Sequence, residues 1–191
     1  MSHLVPPDSV FVLMPHIASR ELAVARWLGV PAGHKDILLT STFSLPSFDA
    51  DWAVFLMRTR AGQHYLQYVH AHVQIGSDAE GLKVERLTSN IEQSWAEQIS
   101  AVICNALADV RYPVGDTSVG IDGTDFHFSA SHPQYLGLLS GKTWSPKAET
   151  VPGQLVNLAD GMRDFCMCSQ EFQYRARARM RSAIDWLRAH Q

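Results

Sequence analysis

The stretch YPVGDTSVGIDGTDFHFSASHPQYLGLLSGKTWSP, from Tyr112 to Pro146, carries the clearest folding signal of this chain. At its centre, Asp122-Gly123 separates two alternating runs of apolar and polar residues. This dipeptide favours a two-residue β-hairpin turn, because both central residues of such a turn adopt a positive φ. The spacing therefore predicts a hairpin whose second strand points Phe126 and Phe128 into the core.

The register of this hairpin sorts its side chains onto two faces. The predicted pairs on the apolar face are Ile121 with Thr124, Val119 with Phe126, and Thr117 with Phe128. The predicted pairs on the other face are Ser118 with His127, Gly120 with Asp125, and Asp116 with Ser129. We expect the first face to build a core and the second to meet water or a ligand.

Length and composition indicate one domain that spans residues 1–191 and needs no disulfide. The three cysteines include no CxxC pair, which predicts free thiols and a reducing, cytoplasmic setting. A formal net charge of −3 gives no indication of a nucleic-acid binder. The chain shows neither an export leader nor an apolar run of about 18 residues, so we expect an intracellular protein without membrane contact.

Hydrophobic periodicity predicts an α+β fold with a mostly antiparallel sheet, built as meander and hairpins. About four helices are expected to pack on one face and at the C-terminus. The predicted helices cover 17–28, 89–110, 151–166 and 170–190, and the predicted strands cover 35–43, 52–60, 63–75 and 135–144. The helix at 89–110 is expected to start with a capping box between Ser89 and Glu92.

The strand at 63–75 alternates in a way that is typical of a sheet with one wet face. Its predicted polar side carries Tyr68, His70, His72 and Gln74. Two histidines on one strand face can share a metal ion, provided that His64, His127 or an acidic group supplies a further ligand. Because local spacing fixes no third ligand, the sequence predicts no metal site and no cofactor.

Ser118 and His127 form a second candidate set, as nucleophile and base, with Asp116 or Asp125 to orient the imidazole. A catalytic serine normally lies on a strained turn beside amide donors, whereas Ser118 is predicted in the middle of a strand. We therefore interpret this set as a solvated strand face and keep a hydrolase as the alternative.

The last predicted helix carries a band of arginines at positions 175, 177, 179, 181 and 188. Their i,i+4 spacing clusters positive charge that suits an acidic partner. The preferred interpretation is a solvated face with Glu171 and Asp185 as counter-charges.

The order of features from Arg111-Tyr112-Pro113, through Asp122 to Phe128, to Trp144-Ser145-Pro146 and the helix at Leu155 resembles that of small bacterial proteins. Some of these are similar to the cytoplasmic immunity partners of polymorphic or contact-delivered toxins. The resemblance covers about the last 80 residues and implies a protein that neutralises a toxin by occlusion. It assigns no functional positions.

Together these features predict a non-enzymatic, protein-binding module of the immunity type. The candidate binding residues are Tyr68, His70, His72, Asp116, Asp125 and His127. The alternative is a small hydrolase or metal-dependent enzyme that uses the polar face of the central hairpin. A third hypothesis is a structural subunit of a larger assembly. A deep pocket with converging polar groups would favour the enzyme, and a flat polar sheet face would favour binding.

Overall fold

A computed structural model describes residues 4, 15–30, 34–76, 80–110, 122–131 and 138–191. The elements in chain order are α1 (Pro15–Leu28), β1 (Ile37–Pro46), β2 (Trp52–Arg58), β3 (His64–Ala71), β4 (Val84–Ile91), α2 (Gln93–Ala108), β5 (Thr124–Ser131), β6 (Leu138–Trp144), α3 (Val151–Met167), a 3₁₀ turn (Gln170–Phe172) and α4 (Gln173–His190). Among these elements, no helix has both the length and the apolarity that a membrane span requires.

The strands form one six-stranded sheet in the order β4-β3-β2-β1-β5-β6. Each neighbouring pair is antiparallel. This confirms the predicted α+β class with a mostly antiparallel sheet and four helices. The strands predicted at 52–60 and 63–75 are observed as the antiparallel pair β2 and β3, and Gly62 in their link takes a positive φ of 88°.

Three helices, α2, α3 and α4, pack on one face of the sheet. The apolar stripe predicted for α2 is buried there, with Trp95, Ile99 and Val102 each less than a tenth exposed. The sheet contributes Leu66, Phe128 and similar side chains to the same core. Apolar residues at helical spacing thus bury one side of α2 and of α3 against the sheet, and α4 packs on those two helices.

Helix α1 packs on the opposite face of the sheet. Its Val24 and Leu28 are buried against a second core that includes Phe55, Met57 and Val69. Both faces of the sheet are therefore covered. The prediction that one face of β3 is exposed to water is wrong. Tyr68 belongs to the three-helix core and is only 6% exposed.

The predicted central hairpin is wrong, although its two phenylalanines are buried as expected. β5 pairs with β1 along one edge and with β6 along the other, which leaves no edge for the predicted pairing with residues 116–121. Those residues lie outside the described part of the chain. Gly123 also lacks the positive φ that a two-residue turn requires. A Cβ there would collide with the Trp144 ring, so close packing is what requires glycine.

Strand β4 is not predicted from the sequence, and it includes the first residues of the predicted helix at 89–110. Ser89 lies in β4 opposite Leu66, so the predicted capping box does not form. Glu92 stands at the N-cap of α2 without a side-chain cap hydrogen bond. β4 is the edge of the sheet and carries charged and polar residues, which is how natural edges resist further pairing.

The cysteines are free thiols, as predicted. Cys104 and Cys166 are buried, whereas Cys168 is half-buried. Burial raises the pKa of the Cys104 thiol and raises the pKa of Cys166 to about 12. Thiols of this kind stay protonated near neutral pH, so packing rather than nucleophilic chemistry accounts for both buried cysteines.

Candidate functional site: two polar clusters on opposite faces of the sheet

The structure separates the predicted binding residues onto the two faces of the sheet. Tyr68 and His70 face the three-helix side, and His72 follows just after the end of β3. Asp125 and His127 face the α1 side. Asp116 lies outside the described residues. The prediction that these residues form a single polar interface is therefore wrong, because the described ones lie on both faces of the sheet.

On the α1 side, Asp125 and His127 belong to a cluster with Glu21 and Lys142, which we call the acid–base cluster. One carboxylate oxygen of Glu21 lies 3.3 Å from His127 Nε2 and 3.8 Å from Lys142 Nζ. The Glu21 and Lys142 side chains are 10% and 6% exposed. Four ionisable groups thus meet where water is largely excluded, which strengthens the interactions between them.

Strand pairing and an ion pair position this cluster. His127 lies directly opposite Lys142 in the β5–β6 ladder, so their side chains share a face. Glu21 is brought above them by α1, whose preceding residue, Arg20, donates to the buried carboxylate of Asp51 at 2.6 Å. Consecutive residues of α1 therefore fasten the helix at two points of the sheet.

His127 has an unusual environment for a histidine in a sheet. Its Nε2 is buried and makes no hydrogen bond with any described residue, although it lies within ion-pair distance of Glu21. A carboxylate at this position favours a proton on Nε2 and leaves the Nδ1 lone pair as an acceptor. The pair therefore places an imidazole 3.3 Å from a carboxylate, close enough for electrostatic interaction although no hydrogen bond joins the two groups.

A cavity of about 420 Å³ opens beside the cluster, between α1 and strands β5 and β6. We call it the α1 pocket. Its wall is mainly apolar, and the acid–base cluster supplies part of its polar lining. The lining residues are Glu21, Leu22, Val24, Ala25, Phe43, Leu45, His127, Phe128, Ser129, Ser140 and Gly141.

Ser118, the serine predicted as a nucleophile, lies outside the described residues. Ser129, on the same face of β5 as His127, shares a hydrogen bond of 2.6 Å with the hydroxyl of Ser41. Within the described cluster, His127 is the group whose chemistry suits proton transfer.

The pKa of Asp125 makes the contribution of the acid–base cluster to stability depend on pH. Burial raises the pKa of its carboxyl above the ordinary value, against the opposing effect of His127 and Lys142. The folded state therefore binds this proton more tightly than the unfolded state, so its contribution to stability is fully present at low pH. That contribution is lost as pH rises from about 4 through the folded-state pKa.

We therefore expect Asp125→Asn to gain stability relative to the wild type as pH rises from about 3 to 7. Urea unfolding of both proteins across that range measures the difference. Parallel stability curves at all pH values would contradict a raised pKa at Asp125.

On the other face, the sheet brings together His70, His72 and Glu85, which we call the histidine cluster. One ligand atom from each residue lies within 4.8 Å of the others. Sequence patterns identify the two histidines but not Glu85. Glu85 lies opposite His70 because its segment forms the strand β4, which those patterns do not predict. The apolar residues of VERLTSNI are Val84, Leu87 and Ile91. Their spacing does not alternate, so no local signal places Glu85 on a strand.

The arginine band of α4 is largely engaged within the protein. Arg177 and Arg179 pair with carboxylates of other helices, and Arg181 lies over an aromatic ring. The partners are Glu92 for Arg177, Asp160 and Asp164 for Arg179, and Trp95 for Arg181. These contacts support a structural role for the band, with counter-charges from α2 and α3 instead of the predicted Glu171 and Asp185.

No protein-family model, curated protein or solved structure matches this chain. The acid–base cluster and the histidine cluster are therefore the basis for inferring its function.

Proposed function

We propose that the protein acts on a small, mostly apolar substrate in the α1 pocket and that His127 transfers a proton to or from it. The observation that carries this proposal is the convergence of His127 and Lys142 on one oxygen of Glu21, beside that cavity. A largely apolar pocket with a few converging polar groups is the common form of a small-molecule site. The sequence predicts a small hydrolase or metal-dependent enzyme as its alternative, and this proposal keeps His127 from that candidate set and adds Glu21 and Lys142.

The three side chains have different roles in this proposal. His127 accepts the proton at Nδ1, and the Glu21 carboxylate, 3.3 Å from Nε2, stabilises the imidazolium that forms. Lys142 is not among the residues that line the pocket, and its positive charge, 3.8 Å from the Glu21 carboxylate, balances the charge of that group. The apolar wall excludes water, which makes each of these electrostatic interactions stronger.

A binding screen tests whether the α1 pocket takes ligands. We expect fragments that bind the wild type, detected by NMR, to lose at least about tenfold in affinity when Ser140→Phe fills the cavity. Thr88→Phe is the matched control, because it adds the same ring at an exposed position of β4. Fragments that bind Ser140→Phe as well as the wild type would place the site elsewhere.

A protein-binding role of the immunity type is the second candidate, and one observation favours it. Met167, Phe172 and Tyr174 are each at least half exposed at the junction of α3 and α4. Arg175 donates to the Tyr174 hydroxyl at 2.9 Å, so the patch combines aromatic and positively charged groups. Tyrosine and arginine are the residues that most often anchor protein interfaces. The three free thiols support the predicted cytoplasmic location.

Site-specific photo-crosslinking tests this second candidate. A crosslinker at position 172 or 174 should capture one and the same protein, and one at the exposed Asn105 should not. The captured protein, once purified, should bind the wild type but not Phe172→Asp. Equal binding to that variant would exclude the patch as the interface.

A further inference from the structure

We propose that His70, His72 and Glu85 bind a divalent transition-metal ion, with Zn²⁺ as the ion that best suits this ligand set. Two imidazoles and one carboxylate are a combination that proteins use for zinc when further coordination positions stay open. The histidine cluster lies on the face of the sheet opposite the α1 pocket. The inference is therefore independent of the proposed proton-transfer site.

The distances within the histidine cluster are close to those of a metal site. His70 Nε2 lies 3.7 Å from a carboxylate oxygen of Glu85, and the ring centres of His70 and His72 are 5.1 Å apart. Zinc bonds of 2.0–2.2 Å place two tetrahedral ligand atoms about 3.3 Å apart. Both His72 and Glu85 are exposed, so their side chains have room to rotate toward a shared ion.

The backbone that carries the ligands is held in place. His70 stacks on Tyr68 with ring centres 5.2 Å apart, and Glu85 is fixed opposite it in the β3–β4 ladder. The segment around His72 is fastened on both sides, because the backbone of Asp51 accepts from Ala71 at 3.1 Å and its carboxylate accepts from Ile75 at 2.6 Å. Such support reduces the ordering cost of binding an ion.

The two ring nitrogens of His70 have different surroundings. Nε2 lies 3.7 Å from a carboxylate oxygen of Glu85, on the side where the ion would bind. Nδ1 is buried and has no hydrogen-bond partner among the described residues, whereas a metal-binding histidine commonly donates this second N–H. The metal affinity therefore has to come from the three ligands themselves, and strand alternation places His72 on the same side as His70.

The surroundings leave room for further ligands on the metal. Trp52 lies directly opposite His70 in the β2–β3 ladder and lines a groove of about 400 Å³. Arg163, which lies over the Trp52 ring, lines the same groove. None of the three ligands lines this groove, and it is the exposure of His72 and Glu85 that would leave one side of a bound metal open to water.

Metal titration of the full, tag-free chain tests this inference. After removal of metals with a chelator, calorimetry should show one equivalent of Zn²⁺ bound, and Co²⁺ should give the visible absorption of a low-symmetry site. We expect His72→Ala and Glu85→Gln each to weaken Zn²⁺ binding at least about tenfold. His64→Ala, at the other end of β3, is the matched control and should retain the affinity.

Three results would overturn the inference. They are the lack of a saturable single equivalent, unchanged affinity in both ligand variants, and an equal loss in His64→Ala. Binding of Mg²⁺ or Ca²⁺ in preference to Zn²⁺ would also contradict it, because those ions require more oxygen ligands. His127→Gln should leave the titration unchanged, which separates this result from the outcome for the α1 pocket.

Discussion

Replacing Asp51 by alanine is expected to lower the free energy of unfolding by about 3 kcal/mol. The Asp51 side chain is fully buried, and its two oxygens accept from Arg20 and from the Ile75 amide at 2.6 Å each. Burial raises the pKa of Asp51, and these two donors oppose that effect. Removal of the carboxylate leaves a buried N–H without a partner and Arg20 without its counter-charge.

Urea unfolding measures this loss, and Asp49→Ala provides the control. Asp49 is exposed in the same loop, so its replacement should change stability by less than about 0.5 kcal/mol. Equal stability of the Asp51→Ala and Asp49→Ala variants would show that the ion pair does not fasten α1 to the sheet.

Replacing Lys142 by methionine is expected to destabilise the protein by about 2–4 kcal/mol. The change leaves the nearly buried Glu21 carboxylate without the ammonium group that lies 3.8 Å away. Addition of Glu21→Leu in the same chain should restore most of this loss, because it removes the unpaired charge. The double-mutant cycle therefore predicts a coupling free energy of at least about 1 kcal/mol.

The cycle is measured by urea unfolding of the two single variants, the double variant and the wild type. Additive losses would contradict direct contact between Glu21 and Lys142, and with it the position of α1 above β5 and β6. An independent loss of stability from Glu21→Leu alone is expected, because Lys142 then stays buried near His127 without that carboxylate.

Local sequence patterns predict the helices and strands in which buried apolar residues recur at a regular spacing. The helices at 151–166 and 170–190 and the strands joined across Arg60-Ala61-Gly62 follow from apolar spacing and turn chemistry. β4 escaped prediction because its side chains are mostly polar on both faces, as suits a sheet edge. For that reason, sequence patterns do not identify Glu85 as the third residue of the histidine cluster.

The remaining differences between the prediction and the structure come from pairing between strands that are far apart in the sequence. Asp122-Gly123 carries a strong local turn signal, yet β5 pairs with β1, which lies more than 70 residues earlier in the chain. Turn chemistry reports only on neighbouring residues, so it could not reveal that both edges of β5 are occupied. Phe126 and Phe128 still point inward, because alternation along β5 does not depend on its partner.

The acid–base cluster shows the same limit. Asp125 and His127 were selected from their alternation in one strand, but their partners Glu21 and Lys142 come from α1 and β6. No motif spacing links residues from three separate elements, so sequence patterns alone did not assemble this set. Helix α1 carries a clear amphipathic pattern, but that pattern does not say which face of the sheet it covers.

Turnover by the His127→Gln variant tests the proton-transfer role most directly. A defined library of small metabolites is incubated with the wild type and the variant, and mass spectrometry follows the loss of each compound. We predict a compound that the wild type consumes and that His127→Gln consumes at least about 100-fold more slowly, while Thr88→Phe acts as the wild type does. Consumption at equal rates by the wild type and His127→Gln, or no consumption of any compound by the wild type, would contradict it.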